Sequence, residues 1–84
     1  MRILNQSSHP ISYELRGGPL RMTLSTCDLE PGDEEVWRAR YRGEVVTCTL
    51  LVTCADALTT LEIDAEAKVV ITDDGAGVRV AVGA

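Results

Sequence analysis

The sequence predicts an all-β protein: a small antiparallel β-sandwich or partly open barrel of about seven or eight short strands built from hairpins. Two observations carry this prediction. Apolar and polar residues alternate with period two over most of the chain, as in strands with one buried face. The dipeptides Gly17-Gly18, Arg42-Gly43 and Asp74-Gly75 separate such segments and supply the positive φ angles that two-residue hairpin turns need.

Extended segments follow one another along the whole chain, and we expect one domain, residues 1–84. The segments lie at about 2–5, 11–16, 20–26, 34–42, 44–54, 58–64, 68–73 and 77–82. Pro31-Gly32 predicts a type II turn inside a long connection, residues 25–35. Pro10 ends a second loop that begins at Asn5, because proline cannot donate to an interior ladder. Residues 53–59 are expected to hold a single helical turn.

The turns also predict a strand register. Because a one-residue slip would expose every apolar side chain of a strand, the alternation favours pairings that keep them on one face. The expected pairs are Leu15 with Leu20, Tyr13 with Met22, Ile11 with Leu24, Ala39 with Val46, Trp37 with Cys48, Ile71 with Val78 and Val69 with Val80. A fourth hairpin, with the loop Ala65-Glu66-Ala67, would pair Ile63 with Val69 and Leu61 with Ile71.

The same alternation predicts which side chains point inward. The expected set is Ile11, Tyr13, Leu15, Leu20, Met22, Leu24, Trp37, Ala39, Val46, Cys48, Leu50, Val52, Leu61, Ile63, Val69, Ile71, Val78, Val80 and Val82.

The charge distribution excludes some classes of partner. The net charge is −5, and the whole excess lies in residues 43–84, which hold two basic and seven acidic side chains. Nucleic-acid binding needs a basic stripe, so we expect no nucleic-acid partner. The chain shows neither a signal-peptide run nor an apolar stretch of membrane-spanning length, so we expect no membrane partner and a cytoplasmic location.

No residue pattern indicates catalysis. His9 is the only histidine and precedes Pro10 in a polar loop, and the neighbouring Ser7 and Ser8 lack the Gly-x-Ser-x-Gly pattern of a nucleophile elbow. We therefore expect a protein that is not an enzyme and that uses no cofactor.

Metal and disulfide sites are not expected either. Cys48 and Cys54 are about 20 Å apart along one strand, too far for a disulfide. Cys27 could bond one of them, but three buried thiols in a reducing compartment are favoured. Zinc binding by the cysteines and His9 lacks a Cys-x-x-Cys pair. The acidic stretch Asp28–Glu35 does not match the spacing of an EF-hand loop.

The segments 34–42 and 44–54 hold the residues that best fit partner binding. Arginines alternate along the first, and arginine is a common interface anchor. In the second, Val45 and Leu51 are apolar on a face that otherwise carries threonines, which suggests a covering layer or a partner surface. The candidate partner-binding residues are Arg38, Arg40, Arg42, Val45, Thr47, Thr49 and Leu51.

Two short segments resemble a known family. The stretch from Asn5 to Ile11 and the later Leu29-Glu30-Pro31-Gly32 are similar to the strand–loop–strand opening and the Leu-x-Pro-Gly turn of the von Hippel–Lindau β domain. The resemblance is confined to these segments, and no peptide-binding residue of that family is carried over.

Three functions remain open at this stage. The first is a non-catalytic interaction module that acts through a protein partner or by self-association. The second is a stand-alone inhibitor or antagonist, of the phage or immunity type, that docks an acidic or arginine-rich face on its target. The third is a small-ligand binder or enzyme with a loop pocket near His9, where Asp28, Glu30 and Asp33 supply carboxylates.

Overall fold

Eight β-strands and no helix make up the described part of the computed structural model, residues 1–17, 22–38, 47–75 and 77–83. The all-β prediction is confirmed. Within those residues there is no helix of the length and apolarity that a membrane crossing requires. The strands are β1 Arg2–Asn5, β2 Ile11–Gly17, β3 Met22–Leu29, β4 Glu34–Val36, β5 Thr47–Cys54, β6 Ala57–Asp64, β7 Lys68–Asp74 and β8 Gly77–Gly83.

The strands form two four-stranded sheets, in the orders β4-β1-β7-β8 and β3-β2-β5-β6. Neighbouring strands are antiparallel except β1 and β7, which run parallel. The inward side chains of both sheets share one core, so the architecture is a β-sandwich. The buried apolar residues are Met1, Ile3, Ile11, Tyr13, Leu15, Leu29, Cys48, Leu50, Val52, Cys54, Ile63, Ala65, Ala67, Val69 and Ile71.

The expected hairpin between residues 61 and 71 is wrong, because β6 and β7 belong to different sheets. The segment Ala65–Ala67 carries the chain from one sheet to the other, and both of its alanines are buried. The amide of Arg2 donates to the carbonyl of Ala67 at 3.1 Å, which joins this crossover to β1. Small side chains suit the crossover because the backbone itself passes along the core.

The register expected between β2 and β3 is also wrong. Tyr13 pairs with Cys27 and Ile11 with Leu29, whereas Met22 lies beside Gly17. A β-bulge separates the partners of Leu15 and Arg16 and leaves Leu24 between them. Because a bulge shifts the alternation by one residue, the two halves of β3 follow opposite phases, and a single period could not fit both. Leu20 lies outside the described residues.

The expected pairing of Trp37 with Cys48 does not form. The amide of Trp37 donates to the carbonyl of Met1 at 2.8 Å, which places Trp37 in the sheet of β1. Cys48 lies in the other sheet, between Gly17 and Ile63. The turn Arg42-Gly43 and the pair Ala39 with Val46 lie outside the described residues.

The hairpin of β7 and β8 exists with a register two residues from the expected one. Ile71 pairs with Val80 and Asp74 with Gly77, so Val78 lies opposite Asp73. A two-residue shift leaves every side chain on its predicted face, so alternation alone could not distinguish the two registers.

A tight hairpin joins β5 and β6 where a helical turn was expected. Cys54 pairs with Ala57, and Ala55 between them adopts a φ of 53°. That left-handed region favours glycine or asparagine, so an alanine there carries no turn signal.

Most of the inward set is confirmed among the described residues. Leu24, Trp37, Leu61, Val78 and Val80 are partly buried and pack against the core. Two residues are wrong: Met22 is 61% exposed and Val82 is 47% exposed. Both lie at or near the end of an edge strand: Met22 is the first residue of β3, and Val82 is the next-to-last residue of β8.

Candidate partner-binding surface

The outer side of the β3-β2-β5-β6 sheet carries the most distinctive surface of the described residues. We call it the outer face; it comprises the even-numbered residues of β2 and β6 and the odd-numbered residues of β5, together with Thr23, Thr26 and Asp28 of β3. Threonines recur on it, as β-branched residues do on pleated surfaces.

A shallow depression of about 460 Å³ lies on the outer face. Leu51 and Leu58 form its apolar part, and Glu14, Thr26 and Asp28 are among the residues that line it. Leu58 is 60% exposed, a large fraction for a leucine within a strand. Because exposed apolar side chains beside polar ones are typical of interaction sites, the depression is the leading candidate for a docking point.

The outer face is acidic. Its described residues carry four carboxylates, those of Glu14, Asp28, Glu62 and Asp64, and one guanidinium, that of Arg16. Arg16 forms an ion pair with Glu14. The hydroxyl of Ser12 donates to Asp28 at 2.8 Å, and the hydroxyl of Thr49 donates to Glu62 at 2.6 Å. These contacts fix the carboxylates while leaving the surface with an excess of negative charge.

The structure brings together only some of the residues expected to bind a partner. Thr47, Thr49 and Leu51 lie on the outer face, where Leu51 pairs with Glu14 on one side and Thr60 on the other. Arg38 is exposed but directly follows Trp37, which is hydrogen-bonded to Met1, the residue before β1 of the other sheet. Arg40, Arg42 and Val45 lie outside the described residues.

Leu58 is the apolar residue of the site that was not predicted from the sequence. On β6 the odd-numbered Leu61 and Ile63 point inward, so the even-numbered Leu58 points outward. Like Leu51, it is an apolar residue in an outward position. The expected helical turn at residues 53–59 hid this signal.

The loop near His9 is built around the buried side chain of Asn5. Its amide nitrogen donates to the carbonyls of His9 at 2.8 Å and Leu29 at 3.0 Å. Its oxygen accepts from the amide of Ser7 at 3.0 Å and from the hydroxyl of Ser7 at 2.6 Å. The amide of Asn5 donates to the Asp33 carbonyl at 2.9 Å. Asn5 thus joins the two loops through hydrogen bonds of its buried side chain and its backbone.

The residue types of a catalytic triad lie together at Ser8, His9 and Asp73, but their order in space differs from that of a triad. The carboxylate of Asp73 accepts from the amide and the hydroxyl of Ser8 at 2.9 and 3.0 Å. The imidazole of His9 lies 3.7 Å from the same oxygen. In a triad the imidazole lies between the hydroxyl and the carboxylate, so that it can accept the proton. Here the carboxylate lies between them and holds the loop against β7.

Asp73 should make the protein sensitive to acid. The hydrogen bond from the backbone of Ser8, then that from its side chain, lower the pKa of Asp73. A carboxyl group whose pKa is lower in the folded state than in the unfolded state stabilises the fold when the pH is above its unfolded-state pKa. This stabilisation is lost as the pH falls through its folded-state pKa. Urea unfolding from neutral pH down to about pH 3 would give the free energy of unfolding at each pH. In Asp73→Asn this free energy should fall less steeply with decreasing pH than in the wild type. Equal slopes would show that Asp73 does not contribute.

The acidic stretch and the cysteines form no closed site. The turn Glu30–Asp33 is held by a hydrogen bond from the Asp33 amide to the Glu30 carbonyl at 2.9 Å, and Gly32 adopts a φ of 91°, as a type II turn requires. Across the described residues, no three histidine, cysteine, aspartate or glutamate side chains are grouped to hold a metal ion. Cys27, Cys48 and Cys54 are free thiols, and burial raises the pKa of Cys48.

No protein-family model matches this chain, and no curated protein or solved structure is significantly similar to it.

Proposed function

We propose that the protein is a non-catalytic interaction module that binds a basic segment of a partner protein on its outer face. The observation that carries the proposal is the exposed Leu58 beside Leu51 in a depression lined by two carboxylates, Glu14 and Asp28. A partner with the opposite charge would be attracted to this face, and the net charge of −5 adds to that attraction.

The chemistry of the depression suits a lysine or arginine side chain. Such a side chain has an apolar stem and a cationic end, and the two parts require different surroundings. Leu51 and Leu58 offer an apolar floor for the stem. Glu14 and Asp28 offer carboxylate oxygens to the cationic end, and each already accepts one neighbouring donor that holds it in place. Binding of this kind combines apolar burial with charge-assisted hydrogen bonds.

Leu58→Ala should weaken the binding of a basic peptide about tenfold, since loss of a central apolar contact typically costs more than a rim contact. The probe is an extended peptide in which lysine and arginine alternate with valine and leucine. Titration calorimetry would give its Kd, and amide chemical shifts would map its site to Leu51 and Leu58. Added salt should weaken binding, because the carboxylates are exposed to screening.

Two controls make this test specific. Val36→Ala removes another exposed apolar side chain, 46% exposed on β4 of the other sheet, and should leave the Kd unchanged. A matched peptide with glutamate in place of the basic residues should not bind. Equal binding of the two peptides, or chemical-shift changes confined to the other sheet, would contradict the proposal.

A further inference from the structure

In the part of the chain that the structure describes, strand β8 is an edge strand with a strand partner on one side only. Among the described residues β8 is hydrogen-bonded to β7 alone. Every edge strand presents unpaired amides and carbonyls along one side, and such an edge accepts a further strand unless something obstructs it.

The other three edges carry features that obstruct strand addition. β3 contains the bulge opposite Leu15 and Arg16. β4 is three residues long and begins with Glu34 and Glu35. β6 carries Glu62 and Asp64. Short length, bulges and charged side chains are the usual protections of an edge.

β8 lacks these protections. It has seven residues, its register with β7 is continuous, and Arg79 is its only charged residue. Its inward side chains are Val78, Val80 and Val82, and Val82 remains 47% exposed although it pairs with the fully buried Val69. An apolar side chain on the core side of a sheet is left exposed where a neighbouring strand is missing.

The sequence of β8, Gly-Val-Arg-Val-Ala-Val-Gly, is nearly palindromic about Val80. If two copies ran antiparallel with Val80 opposite Val80, each Val78 would lie opposite a Val82 and each Gly77 opposite a Gly83. Arg79 would lie opposite Ala81, so no two like charges would lie directly opposite each other. Self-complementarity of this kind is what a two-fold symmetric interface requires.

We propose that β8 pairs with β8 of a second copy of this chain, which extends the β4-β1-β7-β8 sheet across a two-fold axis into a sheet of eight strands. The exposed Val82 of each copy is then covered by Val78 of the other. The outer face belongs to the other sheet and is left free, so dimerisation and the binding of a basic segment are independent.

Ala81 tests this register, because it is exposed in one copy and lies opposite Arg79 of the other. Ala81→Lys places two like-charged pairs across the axis and should weaken the dimer about tenfold. Ala81→Glu replaces them with two opposite-charged pairs and should preserve or strengthen it. In the double variant Arg79→Glu, Ala81→Lys the charges are exchanged, and dimerisation should be restored. Sedimentation equilibrium gives the dimer Kd of each.

Two further measurements separate this interface from others. Hydrogen exchange of the β8 amides should slow as protein concentration rises, whereas exchange in β3 and β6 should not change. As a control, thermal unfolding at low protein concentration should show that the Ala81 variants remain folded. A wild-type monomer at millimolar concentration, equal Kd values for Ala81→Lys and Ala81→Glu, or β8 amides that do not respond to concentration would overturn the proposal.

Discussion

Replacement of Asn5 by alanine is expected to lower the free energy of unfolding by about 3 kcal/mol, because it leaves buried polar groups without partners. The Asn5 side chain is fully buried and makes four hydrogen bonds, to the carbonyls of His9 and Leu29 and to the amide and hydroxyl of Ser7. None of the described buried side-chain polar atoms lacks a partner, so the network is complete as it stands. Leu29 belongs to one sheet and Asn5 to the other, so the substitution removes a hydrogen bond that connects the two sheets.

Urea or thermal unfolding would measure this loss, which for a domain of this size corresponds to a fall in Tm of roughly 15 °C. The matched control is Gln6→Ala, at the next position, where the side chain is exposed and a change within about 0.5 kcal/mol is expected. Asn5→Ala with the stability of the wild type would contradict the role of the network.

Asn5→Asp gives a second, independent check through pH. The carboxylate keeps the acceptor for Ser7 but buries a charge, and it cannot donate to the carbonyls of Leu29 and His9. Burial raises the pKa of such a group, so its stabilising form is the neutral one, present at low pH and lost as pH rises. The variant should therefore gain stability relative to the wild type as the pH falls towards 4. The same stability deficit at every pH would mean that the inserted carboxyl is not buried.

The strands and their faces were predicted well from the sequence because both depend on local alternation. The eight expected segments correspond to the eight observed strands, and Leu50, Val52 and Ile63 lie in the core as expected. Neighbouring strands were harder to predict. Alternation states which face a side chain occupies, but not which strand lies beside it, so β6 and β7 were paired across a connection that instead changes sheets.

Two local irregularities account for most of the remaining errors. The bulge at Leu24 reverses the phase of β3, and the positive φ of Ala55 forms a turn without glycine. Both are backbone features that residue type does not encode. Asn5 was treated as the start of a loop, although it shares the inward phase of Ile3. A polar residue in that phase, followed by Ser7 and Ser8, signals a buried hydrogen-bond network.

The candidate site was predicted in part. Leu51 was identified as an apolar residue in an outward phase, and the structure places it in the depression. Leu58, Glu14 and Asp28 were not identified as partner-binding residues, because they come from strands whose neighbours could not be assigned from local pattern. A surface that spans several strands becomes visible only when the strand order is known.

Leu50→Ala should lower the free energy of unfolding by about 3 kcal/mol or more, since deletion of a fully buried leucine side chain leaves a cavity. Leu50 is completely buried on the central strand β5, opposite Leu15 and Leu61. The same change at Leu58, on the adjacent strand but on the outer face, should alter stability by at most about 0.5 kcal/mol. Both values can be measured by urea unfolding.

The two alanine variants should show the reverse order in their effects on peptide binding. Folded Leu50→Ala keeps the outer face and should bind the basic peptide with the Kd of the wild type. Leu58→Ala should remain as stable as the wild type and lose about tenfold in affinity. The pair therefore distinguishes a leucine that holds the sandwich together from one that recognises a partner. If Leu58→Ala destabilised the protein as much as Leu50→Ala, Leu58 would be packed in solution and the outer face would not be free for a partner.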